Sequence, residues 1–545
     1  MDAFTVSLLL IASVVASSIL ARMSPFVLPL PFVQIALGAL IASVFDFQVH
    51  LDPSTFLLFL APLLFLDGWR TPKDGLLRDK GTIAALAFGL VIFTVIGAGY
   101  FIHWMIPAMP LAVAFALASA ISPTDAVAVS AIVARVPVAK RLVHILEGES
   151  LLNDASGLVC MRFAIAAAAT GYFSITQAFG AFLWVATGGI CIGTLVAFLA
   201  TRGKDWASRR FGEETGSQIL ISLLIPFGAY ILAERVEASG ILAAVASGIV
   251  MSYEELAGRA SATTRLQRTA VWNALQFAGN GVIFVLLGEQ LPTIVSGAAD
   301  VVQETDHAGQ LWLIGYVLAI VLALLVLRAL WVWGTLGLML LRRQDSDERF
   351  QTPTWRVVAA ASLAGVRGAV TLAGVFALPL TLNDGSPFPA RDLAIFLAAG
   401  VIVVSLIAAN LGLPYVLAGV TALPEPMRQR EEDDARIAAA RAAIEAIEQR
   451  LQNMPPSQRP VDLQMEIAAR VMELYRQRLE NRIKTGTNTD LARSMSEIER
   501  ELHLIAIRAE RAELYRVAHD NNLPEELTSQ LIREVDLLES RFSTL

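Results

Sequence analysis

The sequence has 545 residues, of which 55% are hydrophobic and 17% charged, with a mean hydropathy of +0.59 and a formal net charge of −7. Soluble domains carry roughly 45–50% apolar and about 25% charged residues, so a wholly soluble chain is excluded and a membrane protein indicated. The charge is uneven: Thr421–Leu545 holds 18 Lys+Arg and 23 Asp+Glu, a far higher density than the rest.

In chain order, apolar runs suited to crossing a hydrocarbon core of ~30 Å fall near 3–21, 25–45, 54–68, 82–106, 111–134, 142–170, 176–201, 216–234, 238–252, 270–290, 310–341, 355–380 and 393–416. Thirteen spans are therefore expected. The first lacks a basic leader and runs on into a second apolar run, so it is read as a retained helix and not a signal peptide. Lys and Arg cluster in alternate loops, at 70–80, 135–141, 202–210, 259–268 and 342–356. The positive-inside rule makes those loops cytoplasmic, which places Met1 outside and the charged tail inside. Both cysteines, Cys160 and Cys191, lie in apolar spans, where neither a disulfide framework nor a zinc site is expected. The tail reads as helices near 429–453, 461–484, 489–519 and 524–541, separated by NMPPSQRP, KTGTNTD and HDNNLP. Two domains follow: a membrane domain over 1–418 and a helical cytosolic domain over 419–545.

Ionisable residues inside apolar spans are costly and are read first as functional. In ILEGESLLNDASGLV (145–159), Glu149 and Asn153 are spaced i, i+4, as are Ser150 and Asp154. The two pairs form one polar stripe on a helix. Glu149 could mark the cytoplasmic mouth, whereas Asp154 lies deeper and has no basic residue within a turn. In ALASAISPTDAVAVSAIVA (116–134), Pro123 removes a backbone donor and disfavours helix at Ser122. Ser122, Pro123 and Asp125 nevertheless suit a helix start, so a broken helix is expected, with a simple Pro kink as the alternative.

A second break is expected in SLAGVRGAVTLAGVFALPL (362–380), where Arg367 sits between glycines in an apolar span. These are the fifth and twelfth spans, seven apart. An odd offset makes them run in opposite directions, as in an inverted repeat whose halves carry corresponding broken helices. Facing half-helix ends of like sign repel; Asp125 would offset the positive pair and Arg367 the negative one. Arg328 lies well inside its span and calls for an acidic partner or a route to the interface. Asp67, in FLAPLLFLDGWR, is either functional or an interface aspartate.

Carboxylate, amide and hydroxyl oxygens are hard ligands, suited to alkali or alkaline-earth cations. Burial favours the neutral form of a carboxylic acid, so such a site can hold either a proton or a cation. With alternating access the outcome is an antiporter, and one titrating carboxylate implies one proton per monovalent cation. No nucleophile–base pair or phosphate-cradling Gly loop suggests an enzyme.

SPTDAVAV (122–129), GESLLNDA (148–155), LLFLDG (63–68) and GVRGAVTLA (365–373) together resemble the bacterial sodium/proton antiporters of the monovalent cation:proton antiporter-1 family, the NhaP type, related to the animal sodium/proton exchangers. The resemblance covers about residues 1–418. It implies an all-α polytopic inner-membrane protein of thirteen helices with an inverted repeat and two crossed broken helices. It also implies a homodimer and an elevator-like motion, while the one-proton, one-cation ratio argued above makes the expected exchange electroneutral. Asp154 is then the cation and proton carboxylate, supported by Asn153, with Thr124 and Ser150 as nearby ligands. Glu149 pairs with Arg328, and Asp125 and Arg367 compensate the crossed helices. The family usually carries glutamate where this chain has Asp67, one methylene shorter. Sodium is the expected cargo and lithium its surrogate; potassium is the alternative, and a gated cation channel or ion sensor on the same fold the alternative of another class. No cofactor beyond the transported ions, no nucleic acid and no organic substrate is expected; the bilayer and a second copy are the expected partners.

Overall fold

The computed structural model describes residues 3–23, 29–45, 53–71, 79–125, 140–170, 175–256, 261–303, 310–342, 355–382, 385–417, 426–452, 465–476, 489–520, 531–532 and 534–539. The expected second half of the fifth span (126–134), Arg135, Arg259 and most of the tail stretches between helices lie outside these residues, as does much of the expected helix at 524–541. The chain divides into two compact units, Met1–Ala422 and Leu423–Leu545.

The first unit is helical, as a lipid-embedded backbone requires when no water can satisfy its amides and carbonyls. Its helices are α1 (Ala3–Met23), α2 (Leu30–Phe45), α3 (Pro53–Arg70), α4 (Lys80–Met105), α5 (Leu111–Ile121), α6 (Lys140–Thr170) and α7 (Ile175–Phe211). They continue with α8 (Thr215–Arg235), α9 (Gly240–Leu256), α10 (Ala262–Gln303), α11 (Gln310–Arg342), α12 (Trp355–Leu363), α13 (Ala369–Phe376) and α14 (Arg391–Leu417). Among the described residues eight helices are long and apolar enough to cross a membrane; Leu30–Val44, Leu111–Ile121 and Gly240–Tyr253 are shorter apolar helices. Every apolar run found in the sequence contains helix. The only extended pairing among the described residues is a bridge between Thr381 and Pro387, before α14.

Two of the runs are interrupted. Helix α5 ends at Ile121, just ahead of Pro123, which cannot donate to the turn before it. The run over 355–380 splits into α12 and α13, with residues 364–368 outside helix and Gly368 as the N-cap of α13.

The inverted repeat shows in the packing. Helices α2 and α10 cross so closely that a Cβ on Gly38 would lie 2.1 Å from the Val285 carbonyl oxygen, and one on Gly288 2.0 Å from that of Ile35. Helices α3 and α9 cross likewise: Gly68 stands 2.4 Å from the Val245 oxygen and Gly248 2.1 Å from that of Phe65, measured from the same ideal Cβ. Small residues allow such approaches, where dispersion between backbones replaces the hydrophobic effect. Moving by seven along the helix order carries the pair α2–α10 into α9–α3. The same shift carries α1–α2 into α8–α9, and α1–α10 into α8–α3, all of which are in contact.

Two helix groups result. Helices α1–α3 and α7–α10 pack chiefly on one another, and α4–α6 pack chiefly with α11–α14. The groups meet where α10 touches α14 and where α3 touches α13.

The second unit contains α15 (Pro426–Gln452), a helical stretch over 465–476, and α16 (Thr489–Asp520). Its few buried apolar side chains include Ile507, Ile532 and Val535. Arg511 on α16 pairs with Asp536 at 2.9 Å and with Glu539.

Candidate functional site

The two interrupted spans touch at their breaks. The Asp125 amide donates to the Val366 carbonyl at 2.7 Å. The Asp125 carboxylate lies directly against Gly368, where any Cβ would overlap Oδ2, so it sits at the start of α13. A helix start presents unsatisfied amides and a positive partial charge, which a carboxylate offsets. At the opposite pole, Arg367 donates through Nε to the carbonyl of Ile121, the last residue of α5, at 2.9 Å. Its guanidinium also donates to the Gly365 carbonyl, and its backbone amide to Ser405 Oγ on α14 at 3.3 Å. Arg367 is 3% exposed, so its charge is met by carbonyl oxygens of broken helices and not by water.

Helix α6 lies beside this crossing and brings four polar residues to it. The Ser150 hydroxyl donates to the Thr124 carbonyl at 2.7 Å, and Asn153 Nδ2 donates to Thr124 Oγ1 at 2.8 Å. Thr124 Oγ1 stands 3.5 Å from Glu149 Oε1. Glu149 receives a forked pair of bonds from Arg328 on α11, NH1 to Oε1 at 2.5 Å and NH2 to Oε2 at 2.8 Å. Arg328 Nε donates to the Ala361 carbonyl on α12 at 2.8 Å, so this one guanidinium ties α6, α11 and α12 together. Planar two-point contacts of this kind are strong and directional.

Asp154 follows Asn153 and is 5% exposed. Asn153 Oδ1 is buried beside it without a hydrogen-bond donor. Besides its burial, Asp154 feels the charge of two more carboxylates, the half-buried Asp67 on α3 and Asp125 at the crossing. Asp67 belongs to the other helix group. Its own backbone carbonyl accepts from the amide and hydroxyl of Thr71 at 3.1 and 2.7 Å. The neighbouring Arg70 is turned onto α10, where it donates to Gln276 Oε1 at 2.6 Å and to Asn273. Among the described residues no group of three or more His, Cys, Asp or Glu is disposed to hold a metal ion. Hydroxyls, a carbonyl, an amide oxygen and carboxylates are what the crossing provides.

The residues singled out from sequence, Asp67, Thr124, Asp125, Glu149, Ser150, Asn153, Asp154, Arg328 and Arg367, thus converge on one region. Three features there involve residues not singled out from sequence. Ser156 donates to the Ala87 carbonyl of α4, Arg162 of α6 pairs with Glu234 of α8, and α4 contains a π-helical turn over Ala85–Leu90.

The membrane unit matches the family model described as "Sodium/hydrogen exchanger, transmembrane" over residues 8–419. The chain belongs to the sodium/hydrogen exchanger family. It is 40% identical, across 99% of both chains, to the protein of Escherichia coli (strain K12) named "Uncharacterized Na(+)/H(+) exchanger YjcE". It is 39% identical, over 99% of its own length and 78% of the other, to the "Sodium, potassium, lithium and rubidium/H(+) antiporter" of Bacillus subtilis (strain 168). In three dimensions it resembles the sodium proton antiporter MjNhaP1 from Methanocaldococcus jannaschii at pH 8, with a TM-score of 0.57 at 17% identity, covering 76% of this chain and 99% of that one. That likeness concerns the fold, a multi-pass helical membrane protein. Family membership makes the chain a cation:proton antiporter relative and a transporter by class.

Proposed function

We propose that the chain exchanges sodium for protons in a one-to-one, electroneutral cycle of alternating access, with lithium as a substitute cargo. The observation that carries this is Asp154, a carboxylate buried on the turn of α6 whose Ser150 and Asn153 bond to Thr124 at the crossing of the two broken spans, with Asn153 Oδ1 left without a donor. A proton and a hard monovalent cation compete for such a carboxylate, so release of one accompanies binding of the other. Asp125 and Arg367 are engaged with helix ends and Glu149 with Arg328, which leaves Asp154 as the group that cycles. Asp67, one methylene shorter than glutamate, contributes from the other helix group through water. Because Asp67 and Asp154 belong to different groups, movement of one group past the other opens the site to each side in turn. We place the protein in the inner membrane as a homodimer, with its N-terminus outside and residues 419–545 a cytosolic domain.

Potassium is the second reading, favoured by the cation range in the name of the Bacillus subtilis relative. The test is purified protein in liposomes with an imposed pH gradient and the voltage clamped. Internal pH is followed after adding sodium, lithium or potassium to wild type and to Asp154→Asn. Cation-dependent collapse of the gradient in wild type alone is the expected result, and the active ion names the cargo. Cation movement in both proteins without proton movement would make the chain a channel or sensor instead.

A further inference from the structure

Helix α4 is regular except over Ala85–Leu90, where it widens into a π turn. A π turn takes an extra residue, so carbonyls within it lose the usual alignment with the amide four residues on. They turn instead to the amide five residues on, and the second lone pair of each oxygen can take a side-chain donor. Two in this turn receive side-chain donors from two different helices. Ser156 Oγ on α6 stands 2.6 Å from the Ala87 carbonyl oxygen, and Trp331 Nε1 on α11 stands 3.2 Å from that of Ala85. The ring of Trp331 lies flush against the same turn, where a Cβ on Gly89 would come within 2.4 Å of it.

Both donors sit next to the machinery described above. Ser156 is 5% exposed and follows Asp154 by two residues. Its hydroxyl is also 3.0 Å from the Asn153 carbonyl oxygen, so the contact closes on the backbone turn that presents Asn153 and Asp154. Trp331 follows Arg328 by three residues, one turn on along α11 from the guanidinium that holds Glu149. The π turn is therefore a common seat for α6 and α11. Without the extra residue of the π turn, the residues beyond it would be rotated by about 100°.

We propose that Ser156, seated on the π turn of α4, is a positioning residue for Asp154, a role that rests on the exchange proposed above. The hydroxyl fixes the height and rotation of α6 against α4, so that Asn153 keeps its bond to Thr124 and Asp154 its place on the same turn. A single neutral hydrogen bond adds little to stability, yet a displacement of about 1 Å at a binding constellation is enough to degrade it. Loss of the bond therefore shows in ion binding more than in folding.

The experiment compares wild type, Ser156→Ala and Ser156→Cys as equal amounts of folded protein in liposomes, reading the apparent KM for the active cation, the maximal rate and the pH profile. Ser156→Ala is expected to raise KM about fivefold and displace the pH profile, with Ser156→Cys, a weaker donor of similar size, in between. If Ser156→Ala gives no folded protein, Ser156→Cys decides alone: a raised KM supports the role and a wild-type KM overturns it. A lower melting temperature with wild-type KM and pH profile makes Ser156 merely structural and overturns the proposal. Absence of exchange in wild type overturns both this role and the exchange; active wild type with unaltered Ser156 variants overturns only the role of Ser156.

Discussion

Helix α6 carries two ion pairs with the same closest approach and opposite surroundings. Glu149 and Arg328 meet at 2.5 Å with side chains 1% and 4% exposed; Arg162 and Glu234 meet at 2.5 Å with both side chains 33% exposed. The first joins helices of one group, α6 and α11, while the second reaches from α6 to the end of α8 in the other group. Equal distance does not mean equal energy. In a buried pair each charge has given up its water, so removing one partner strands the other; a half-exposed pair is rescued by water when it parts. In the alternating-access cycle proposed above, a helix that keeps its place within one group and moves past the other would be well served by this arrangement.

The largest effect therefore belongs to the buried pair. Arg328→Met strands Glu149 and is expected to cost about 3–5 kcal/mol, seen as a collapse of folded yield and a lowered Tm in detergent. Glu149→Gln should lower yield more than it alters ion preference. The double variant Glu149→Leu with Arg328→Met should be more stable than Arg328→Met alone, because no charge is left unpaired. If both single variants melt as wild type does, the contrast between the pairs is gone.

Next is Arg367→Ala, which withdraws the donor from the Ile121 carbonyl and leaves the broken ends of α5 and α12 facing each other uncompensated. Loss of a charged donor to a buried carbonyl is worth roughly 1.5–3 kcal/mol. Reduced expression or lost exchange is expected; a fully active, normally expressed variant would remove Arg367 from its place in the crossing.

The glycine crossings carry the comparison into the other group. Gly38→Ala on α2 and Gly248→Ala on α9 each push a methyl group into a facing carbonyl, while Gly315→Ala on α11 meets nothing within 4 Å. Overpacking of this kind costs typically ~1–3 kcal/mol. Because the two crossings are related by the repeat, the first two variants should lower Tm by similar amounts and the third not at all. Very unequal losses would mean that the repeat is one of topology and not of packing.

Much of this was legible beforehand because it rests on local rules. Apolar run length marks the helices, and Pro123 after Ser122 marks a break wherever it falls. Arg328 and Arg367 stand out because a charge in an apolar span has to be answered. Other features depend on which helix faces which. Glu234, at the edge of the apolar run 216–234, draws no role until α8 is seen to end beside Arg162. The run near 270–290 gives no hint that α10 extends over Ala262–Gln303, since hydropathy reports the hydrocarbon and not the helix. The segment ALAFGL has no composition that distinguishes a π turn from an α turn, so Ser156 passes as one more small residue beside Gly157.

The smallest effect is expected at the exposed pair. Glu234 accepts from Arg162 and also from the Gly240 amide at 3.0 Å, at the start of α9. Glu234→Gln keeps an oxygen for that amide and removes the charge. Since a third of each side chain is in contact with solvent, the pair is worth at most ~1 kcal/mol and less in high salt. Glu234→Gln should therefore leave Tm within a few degrees of wild type, and any difference should shrink as ionic strength rises. If the proposed movement opens this pair in every cycle, the pair should matter more to rate than to stability, so the exchange rate should change while the melting curve does not. A Tm loss as large as that of Arg328→Met would mean that α6 is fixed at both ends. The boundary along which the two groups slide would then have to lie elsewhere than between α6 and α8.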